Sequence, residues 1–103
     1  KMKTTVVNIR DEPFDVYIGR AGHGYDGYFG NSIALPPSAN GFTRRALLER
    51  FRDYFLERIE TDSEFCRRVL ELRGKRLGCF CKPKHCHGDI IASWLNQHMM
   101  DGQ

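Results

Sequence analysis

The sequence predicts an α/β fold, a small single domain in which a three-stranded, mostly parallel sheet is flanked by three helices in a Rossmann-like arrangement. Two observations predict it. Short β-branched runs alternate with longer segments whose apolar residues recur at three- and four-residue spacing. The chain also has 103 residues, 41% of them hydrophobic, which suits one hydrophobic core. The predicted order is strand, strand, loop, helix, helix, strand, helix.

Two strands are predicted near the beginning of the sequence. Residues 4–9 are apolar and β-branched, and the acidic residues and proline at 11–13 end the run. Residues 15–18 form a second such run, which Gly19 closes. A third strand is predicted at residues 76–81, and Pro83 interrupts it.

Three helices are predicted from apolar spacing and capping residues. Thr43 is the predicted cap of a helix that runs to about residue 59, with Leu47, Leu48, Phe51, Phe55 and Ile59 on one face. A capping box at residues 61–64 starts a second helix, which Gly74 ends, with Phe65, Val69, Leu70 and Leu72 facing inward. The last helix covers residues 87–99 and buries Ile90, Ile91, Trp94 and Leu95.

A long irregular loop is predicted at residues 19–41, which contain six of the ten glycines. Residues 22–27 match the pattern Gly-x-Gly-x-x-Gly, but no helix is predicted to begin there, so the match does not indicate a dinucleotide site. If the strands are parallel, this loop and the end of the third strand open at one edge of the sheet. The polar residues of the loop would then face Cys81, His87 and Asp89; they are Arg20, His23, Tyr25, Asp26 and Asn31.

Composition excludes several classes of protein. No apolar run approaches the roughly 18 residues that a membrane span needs, and no signal-peptide pattern is present, so we expect a cytoplasmic protein without membrane contact. The net charge is only +3, and the arginines alternate with acidic residues on predicted helices. This pattern favours solvated helix faces, with nucleic-acid binding as the less favoured interpretation.

Three of the four cysteines lie close together at residues 79–86, followed by His87 and Asp89. Clustered cysteines in a reducing compartment indicate metal binding or thiol chemistry more often than disulfides. One interpretation is therefore a tetrahedral zinc site, with Cys79, Cys81, Cys86 and His87 as a Cys3His ligand set. The spacing is not that of the usual Cys-x-x-Cys zinc knuckle.

A second interpretation, which we prefer, is an active or ligand-binding site. Cys81 or Cys86 would be the nucleophile, because a helix start and nearby basic groups favour a thiolate. His87 would accept a proton, and Asp89 would orient it. The first amides of the last helix would bind a phosphate, Lys82 and Lys84 would add charge, and Gly88 would allow close approach. A third, purely structural interpretation suits Cys66 and Cys79 individually.

The chain resembles a family of small proteins of unknown function found in bacteriophages and bacteria. The resemblance rests on Tyr17-Ile-Gly-Arg20, Gly30-Asn31, residues 72–77, and the run Cys-x-Cys-x-Pro-x-x-Cys-His-Gly-Asp at residues 79–89. It implies a compact α/β fold and one shared site built from two parts of the chain. These are the front motif, Tyr17–Arg20 with Gly30-Asn31, and the rear motif, residues 79–89. The resemblance thereby adds Gly19, Arg20 and Asn31 as ligand-binding residues. The family commonly has Pro-Phe where this chain has Ser32-Ile33.

These observations lead to one predicted function and two alternatives. The first is binding, with processing as a further possibility, of a nucleotide or other phosphorylated small ligand at the Cys/His/Asp site, in phage or bacterial nucleic-acid metabolism. The host cytoplasm would be the location of a phage-encoded protein. The alternatives are a zinc-stabilised module that binds protein or nucleic acid, and a non-catalytic phage protein that modulates a host factor through the glycine loop.

Overall fold

The computed structural model describes residues 3–22, 24–30, 41–80, 82 and 84–101. Within these residues the chain forms three strands and three helices. The strands are β1 (Thr5–Asn8), β2 (Val16–Tyr17) and β3 (Arg76–Cys79), and the helices are α1 (Gly41–Thr61), α2 (Ser63–Leu70) and α3 (His87–Asp101). The predicted α/β class and element order are confirmed.

All three strands are parallel, and β3 lies between the other two in the order β1-β3-β2. Thr5 is in register with Arg76, and Val16 with Leu77. The connection from β1 to β2 contains no helix among residues 9–15. These two parallel strands are therefore not linked as a β-α-β unit, and the Rossmann-like part of the prediction is not confirmed.

The connection from β1 to β2 crosses one face of β3 at Gly78. A Cβ at this position would lie 2.6 Å from a methyl carbon of Ile9 and 2.8 Å from the ring of Phe14. Only glycine leaves room for the crossing segment. Leu77 and Cys79 point to the opposite face, because successive side chains alternate along a strand, and there they join the core.

The core is formed mainly by side chains that the helices direct onto the sheet. Phe51 and Phe55 of α1 are buried, as the predicted apolar face required, whereas its other members are only partly covered. The further buried apolar residues of the helices and of the turn after α2 are Phe65, Val69, Leu72, Ile91 and Leu95. The predicted inward-facing Leu70, Ile90 and Trp94 are half-buried and pack against this core.

The boundary between α1 and α2 differs from the prediction. Thr61 ends α1, and its hydroxyl donates to the carbonyl of Glu57 at 3.0 Å, so it does not cap α2. Asp62 has the extended backbone of a cap residue and accepts a hydrogen bond from the Phe65 amide at 3.0 Å. The capping residue is therefore one position later than predicted, because Thr61 still belongs to α1 and Asp62 has the extended backbone that a cap requires.

α3 is anchored to the beginning of β1. The side chain of Asn96 accepts from the Thr4 amide at 2.9 Å and donates to the Thr4 carbonyl at 3.0 Å. The Thr4 hydroxyl accepts from the amide of Gly74, which has the left-handed φ of 76° expected of a glycine after a helix. These contacts hold the far end of α3 at the amino edge of the sheet and direct its first turn toward the carboxyl edge.

Candidate functional site

The ends of the three strands meet the first turn of α3 at the carboxyl edge of the sheet. This is where open parallel sheets usually bind ligands. Ile18 and Gly19 follow β2, the described residues 80, 82 and 84–86 follow β3, and α3 begins at His87. Arg44 of α1 reaches the same edge, where it donates to the carbonyl of His85 at 3.3 Å. The described residues of the front and rear motifs thus lie together at the carboxyl edge of the sheet.

His87 occupies the centre of this edge. Its side chain is 7% exposed, lies edge-on to the Phe51 ring, and places Nε2 2.6 Å from the carbonyl oxygen of Ile18. Burial lowers the pKa of His87 below its ordinary value of 6.5. The ring is therefore neutral at pH 7, and because a carbonyl only accepts, Nε2 carries the proton. Nδ1 is left with a lone pair, and no described residue donates to it.

Arg20 lies close enough to His87 for its positive charge to help lower the pKa of the imidazole. The side chain of Arg20 is exposed, so its guanidinium lies at the surface beside a buried ring. Gly19, the residue before it, is buried, and a Cβ there would collide with the hydroxyl of Tyr17. Gly19 therefore lets Tyr17 fold over the backbone, a packing role that the prediction of ligand contact did not include.

Asp89 holds the loop before α3 in place. One carboxylate oxygen accepts from the Cys86 amide at 3.0 Å, which is the backward bond of a capping box, and the other accepts from Lys82 Nζ at 2.9 Å. The hydrogen bond to Asp89 raises the pKa of Lys82. No hydrogen bond joins Asp89 to His87 in the described structure. The Ile18 carbonyl orients the imidazole instead, and Asp89 positions the loop.

Cys79 and Cys86 form a buried pair, with their sulfur atoms 3.4 Å apart. Both thiols are reduced, and the Cys86 side chain is only 2% exposed. Such burial disfavours Cys86 as a nucleophile for a dissolved ligand. Cys81, the other predicted nucleophile and a predicted zinc ligand, lies outside the described residues, as do His23 and Asn31. Among the residues that are described, no group of three potential ligands is arranged to hold a metal.

Gly88 packs against the sheet. A Cβ at this position would lie 2.5 Å from the end of the Ile18 side chain and 3.2 Å from a methyl carbon of Val6. The glycine therefore brings the first turn of α3 close to β1 and β2. We expected Gly88 to admit a ligand to the backbone; its α-carbon is instead covered by protein.

The glycine pattern at residues 22–27 forms a tight turn and not a phosphate loop. Gly22 and Tyr25 exchange two backbone hydrogen bonds, of 3.0 and 2.9 Å. Gly22, Gly24 and Gly27 have φ values of 133°, 88° and 71°, which glycine adopts without strain. No helix begins in residues 24–30, in agreement with the prediction that the match is accidental.

Two contributors to the site carried no recognisable signal in the sequence. The side-chain amide of Asn8 donates to the carbonyls of Phe80 and Lys82, at 3.3 and 2.8 Å, and so fixes the start of the loop after β3. The Ile18 carbonyl is a backbone group, which no motif reveals. No motif marks Asn8 either, which is a single polar residue at the carboxyl end of β1.

A groove of about 240 Å³ runs between α1 and α3 and reaches this site from the helical side. Its walls include Leu48 and Trp94, and Cys86 and Asp89 also line it.

No helix in the described residues is long and apolar enough to cross a membrane.

Comparison with known proteins places the sequence among phage-associated proteins of unknown function. The family described as "Domain of unknown function (DUF4326)" matches residues 2–97. An uncharacterized 12.4 kDa protein in the nrdA-td intergenic region of Enterobacteria phage T4 is 42% identical over 97 residues, which cover 93% of this chain and 81% of that protein. No solved structure matches the chain. The resemblance inferred from sequence is supported in its family and its phage association.

Proposed function

The chain belongs to the DUF4326 family of domains of unknown function, and we propose that it binds a small phosphorylated ligand of the nucleotide class at the carboxyl edge of its sheet. The observation that carries this proposal is the hydrogen bond from the buried His87 to the Ile18 carbonyl, which joins the first turn of α3 to the chain two residues before Arg20. A guanidinium and a helix N-terminus that lie together attract an anion, because both present N–H donors and positive charge.

The charges around this edge support an anionic ligand. Arg20 and Arg44 both reach it, whereas Lys82 is neutralised by its ion pair with Asp89. The two carboxylate oxygens of Asp89 accept hydrogen bonds from Lys82 and from the Cys86 amide. The Asp89 carboxylate is thus already compensated, and Arg20 and Arg44 add positive charge at this edge. Guanidinium groups bind phosphate oxygens through paired N–H donors.

We also propose that His87 accepts a proton from the bound ligand or from a water molecule beside it. Its neutral state and its fixed tautomer support this role, since Nε2 donates to Ile18 and Nδ1 keeps a lone pair. The burial of Cys86 favours proton transfer at His87 over attack by that thiol. Asp89 acts as a positioning residue for the loop.

Binding of ribose 5-phosphate and adenosine monophosphate, measured by calorimetric titration, tests the proposal. We expect Arg20→Ala to weaken both ligands about tenfold or more, because a charge-assisted hydrogen bond contributes about 1.5–3 kcal/mol. Arg73→Ala is the matched control, since Arg73 is also exposed but lies before β3, at the opposite edge of the sheet. Equal losses in the two variants, or no binding by the unmodified protein, would contradict the proposal.

A zinc-stabilised interaction module is a second candidate, favoured by the contact between Cys79 and Cys86. Their separation of 3.4 Å is close to the spacing of two thiolates on one tetrahedral zinc, about 3.8 Å for bonds of about 2.3 Å. Cys81 and Nδ1 of His87 would complete the set. Elemental analysis tests it: one zinc per chain, with loss of the fold on chelation, would support this module, and metal-free folded protein would exclude it.

A further inference from the structure

Three aromatic rings and one guanidinium form a row across the carboxyl edge of the sheet, on the face away from the helices. We propose that this aromatic row (Arg10, Phe80, Tyr17 and Tyr25) stacks against an unpaired nucleobase. The inference rests on the proposed function and names the part of the ligand that the phosphate site does not recognise. Base–aromatic stacking tolerates any base, because every base has a π face.

The row follows the order of the strands. Arg10 comes after β1, and its guanidinium lies 5.1 Å from the centre of the Phe80 ring. Phe80 comes directly after β3 and lies edge-on to Tyr17 of β2, at 6.1 Å between ring centres. Tyr25 from the glycine turn lies 4.1 Å from Tyr17 with the rings 30° apart. The contacts are continuous from one side of the sheet to the other.

Two rings of the row are exposed to solvent. Phe80 is 42% exposed and Tyr25 is 40% exposed. The segment that crosses Gly78 covers the sheet below them with Ile9 and Phe14, and the row lies beyond this cover. Large exposed rings gathered in one patch, and not scattered singly, indicate a binding surface.

The row is held in position before any ligand binds. Asn8 fixes the backbone of Phe80 through its carbonyl at 3.3 Å, and the Arg10 amide donates to the Asn8 side chain at 2.9 Å. Tyr25 is held by its paired hydrogen bonds with Gly22. A preorganised surface loses little conformational entropy on binding, which favours stacking of a small ligand.

The charge of the row selects a base that carries phosphate. Arg10 is exposed and forms no ion pair within the part of the chain that the structure describes. A guanidinium over an aromatic ring can stack with a base or bind a phosphate oxygen. The Tyr17 hydroxyl packs against Gly19, the residue before Arg20, so the row passes beside the proposed phosphate site. Base and phosphate of one nucleotide would therefore be recognised at neighbouring positions along this edge.

The test compares three probes by calorimetric titration: ribose 5-phosphate, adenosine monophosphate and a short single-stranded oligoadenylate. We expect adenosine monophosphate to bind about tenfold more tightly than ribose 5-phosphate, the gain typical of one stacked base. Phe80→Ala should remove this gain and leave ribose 5-phosphate unchanged. Phe80→Tyr should retain it, and Phe80→Leu should lose it while it keeps apolar bulk at the position.

Tyr54→Ala is the matched control, because Tyr54 is 47% exposed and lies on α1. It should affect none of the probes, and thermal unfolding checks that each variant is folded. Equal binding of the two small probes, or a gain that survives Phe80→Ala, would overturn the inference and leave the phosphate site standing. If adenosine monophosphate binds in a Phe80-dependent manner and ribose 5-phosphate does not bind, the result would support the aromatic row and refute the phosphate site. Tighter binding of the oligoadenylate would identify a single strand as the source of the base.

Discussion

The Ile18 carbonyl accepts a hydrogen bond from His87 Nε2 at 2.6 Å and thereby joins the end of β2 to the first turn of α3. This contact fixes the tautomer of the ring, with the proton on Nε2 and the lone pair on Nδ1. The burial that makes this contact strong also keeps the ring neutral.

Acid should destabilise the protein through His87. Its pKa in the folded protein lies below 6.5, so the unfolded chain binds a proton first as the pH falls. The stabilisation is complete above about pH 6.5 and is lost as the pH falls through the lower folded value. His87→Gln keeps a donor for Ile18 but does not titrate, and it should flatten this part of the profile. Urea unfolding at pH 7.5 and 5.5 measures the effect.

The control for this profile is His85→Gln, because the His85 side chain is 85% exposed. This variant should retain the loss of stability as the pH falls below 6.5, because His87 is unchanged. A profile that changes in the His85 variant and not in the His87 variant would contradict the assignment.

Gly88→Ala should destabilise the fold by about 1–3 kcal/mol, the usual effect of overpacking a tight interface. In a helix, alanine is ordinarily better than glycine, so a loss of stability would reveal the contact with Ile18 and Val6. Ser93→Ala, an exposed position on the same helix, should change the free energy of unfolding by less than about 0.5 kcal/mol. Chemical denaturation of the two variants decides, and a stabilising Gly88→Ala would show that the helix has room.

Asp89→Ala should cost about 0.5–2 kcal/mol, because it removes the carboxylate that caps the Cys86 amide. Asp89→Asn should cost less, since an amide oxygen can still accept that bond while the partly exposed ion pair with Lys82 is lost. Asp53→Ala, on an exposed position of α1, provides the comparison. Equal losses from the Ala and Asn variants would mean that the charge, and not the cap, stabilises the loop.

The thiols of Cys79 and Cys86 should be unreactive in the folded protein. In a variant with Cys66 and Cys81 changed to serine, both remaining thiols should react with a disulfide reagent only after denaturation, because both are buried. Rapid reaction of one thiol under native conditions would restore Cys86 as the nucleophile that the sequence suggested.

The sequence was a good guide to elements with a strong periodic or capping signal. The α/β class, the order of elements and the positive φ of Gly74 follow from local patterns. It was a poorer guide where two local signals compete. Thr61 and Asp62 are both good caps, and only the hydrogen bond from the Phe65 amide to the Asp62 side chain shows which of them begins α2.

Sequence patterns place the front and rear motifs at one edge of the sheet, whereas the contacts of their individual residues depend on the folded chain. Proximity of Arg20 and His87 was expected from the parallel strands, whereas the orienting partner of His87 was taken to be Asp89. Every residue has a backbone carbonyl, so residue type could not predict that the carbonyl of Ile18 orients His87. The crowding around Gly88 likewise comes from Ile18 and Val6, which are distant along the chain. Local sequence therefore could not show that protein atoms, and not a ligand, cover this glycine.

The central position of β3 has a consequence for how the chain folds. Both outer strands precede it, and Thr5 meets a partner, Arg76, from the last third of the chain. Neither outer strand has a neighbour in this sheet until that late segment arrives, so sheet formation must close a long loop while the helices can form early. During synthesis β1 and β2 would therefore remain unpaired until residues 76–79 are available. Pairing of these residues with both strands would then be the step that forms the native sheet.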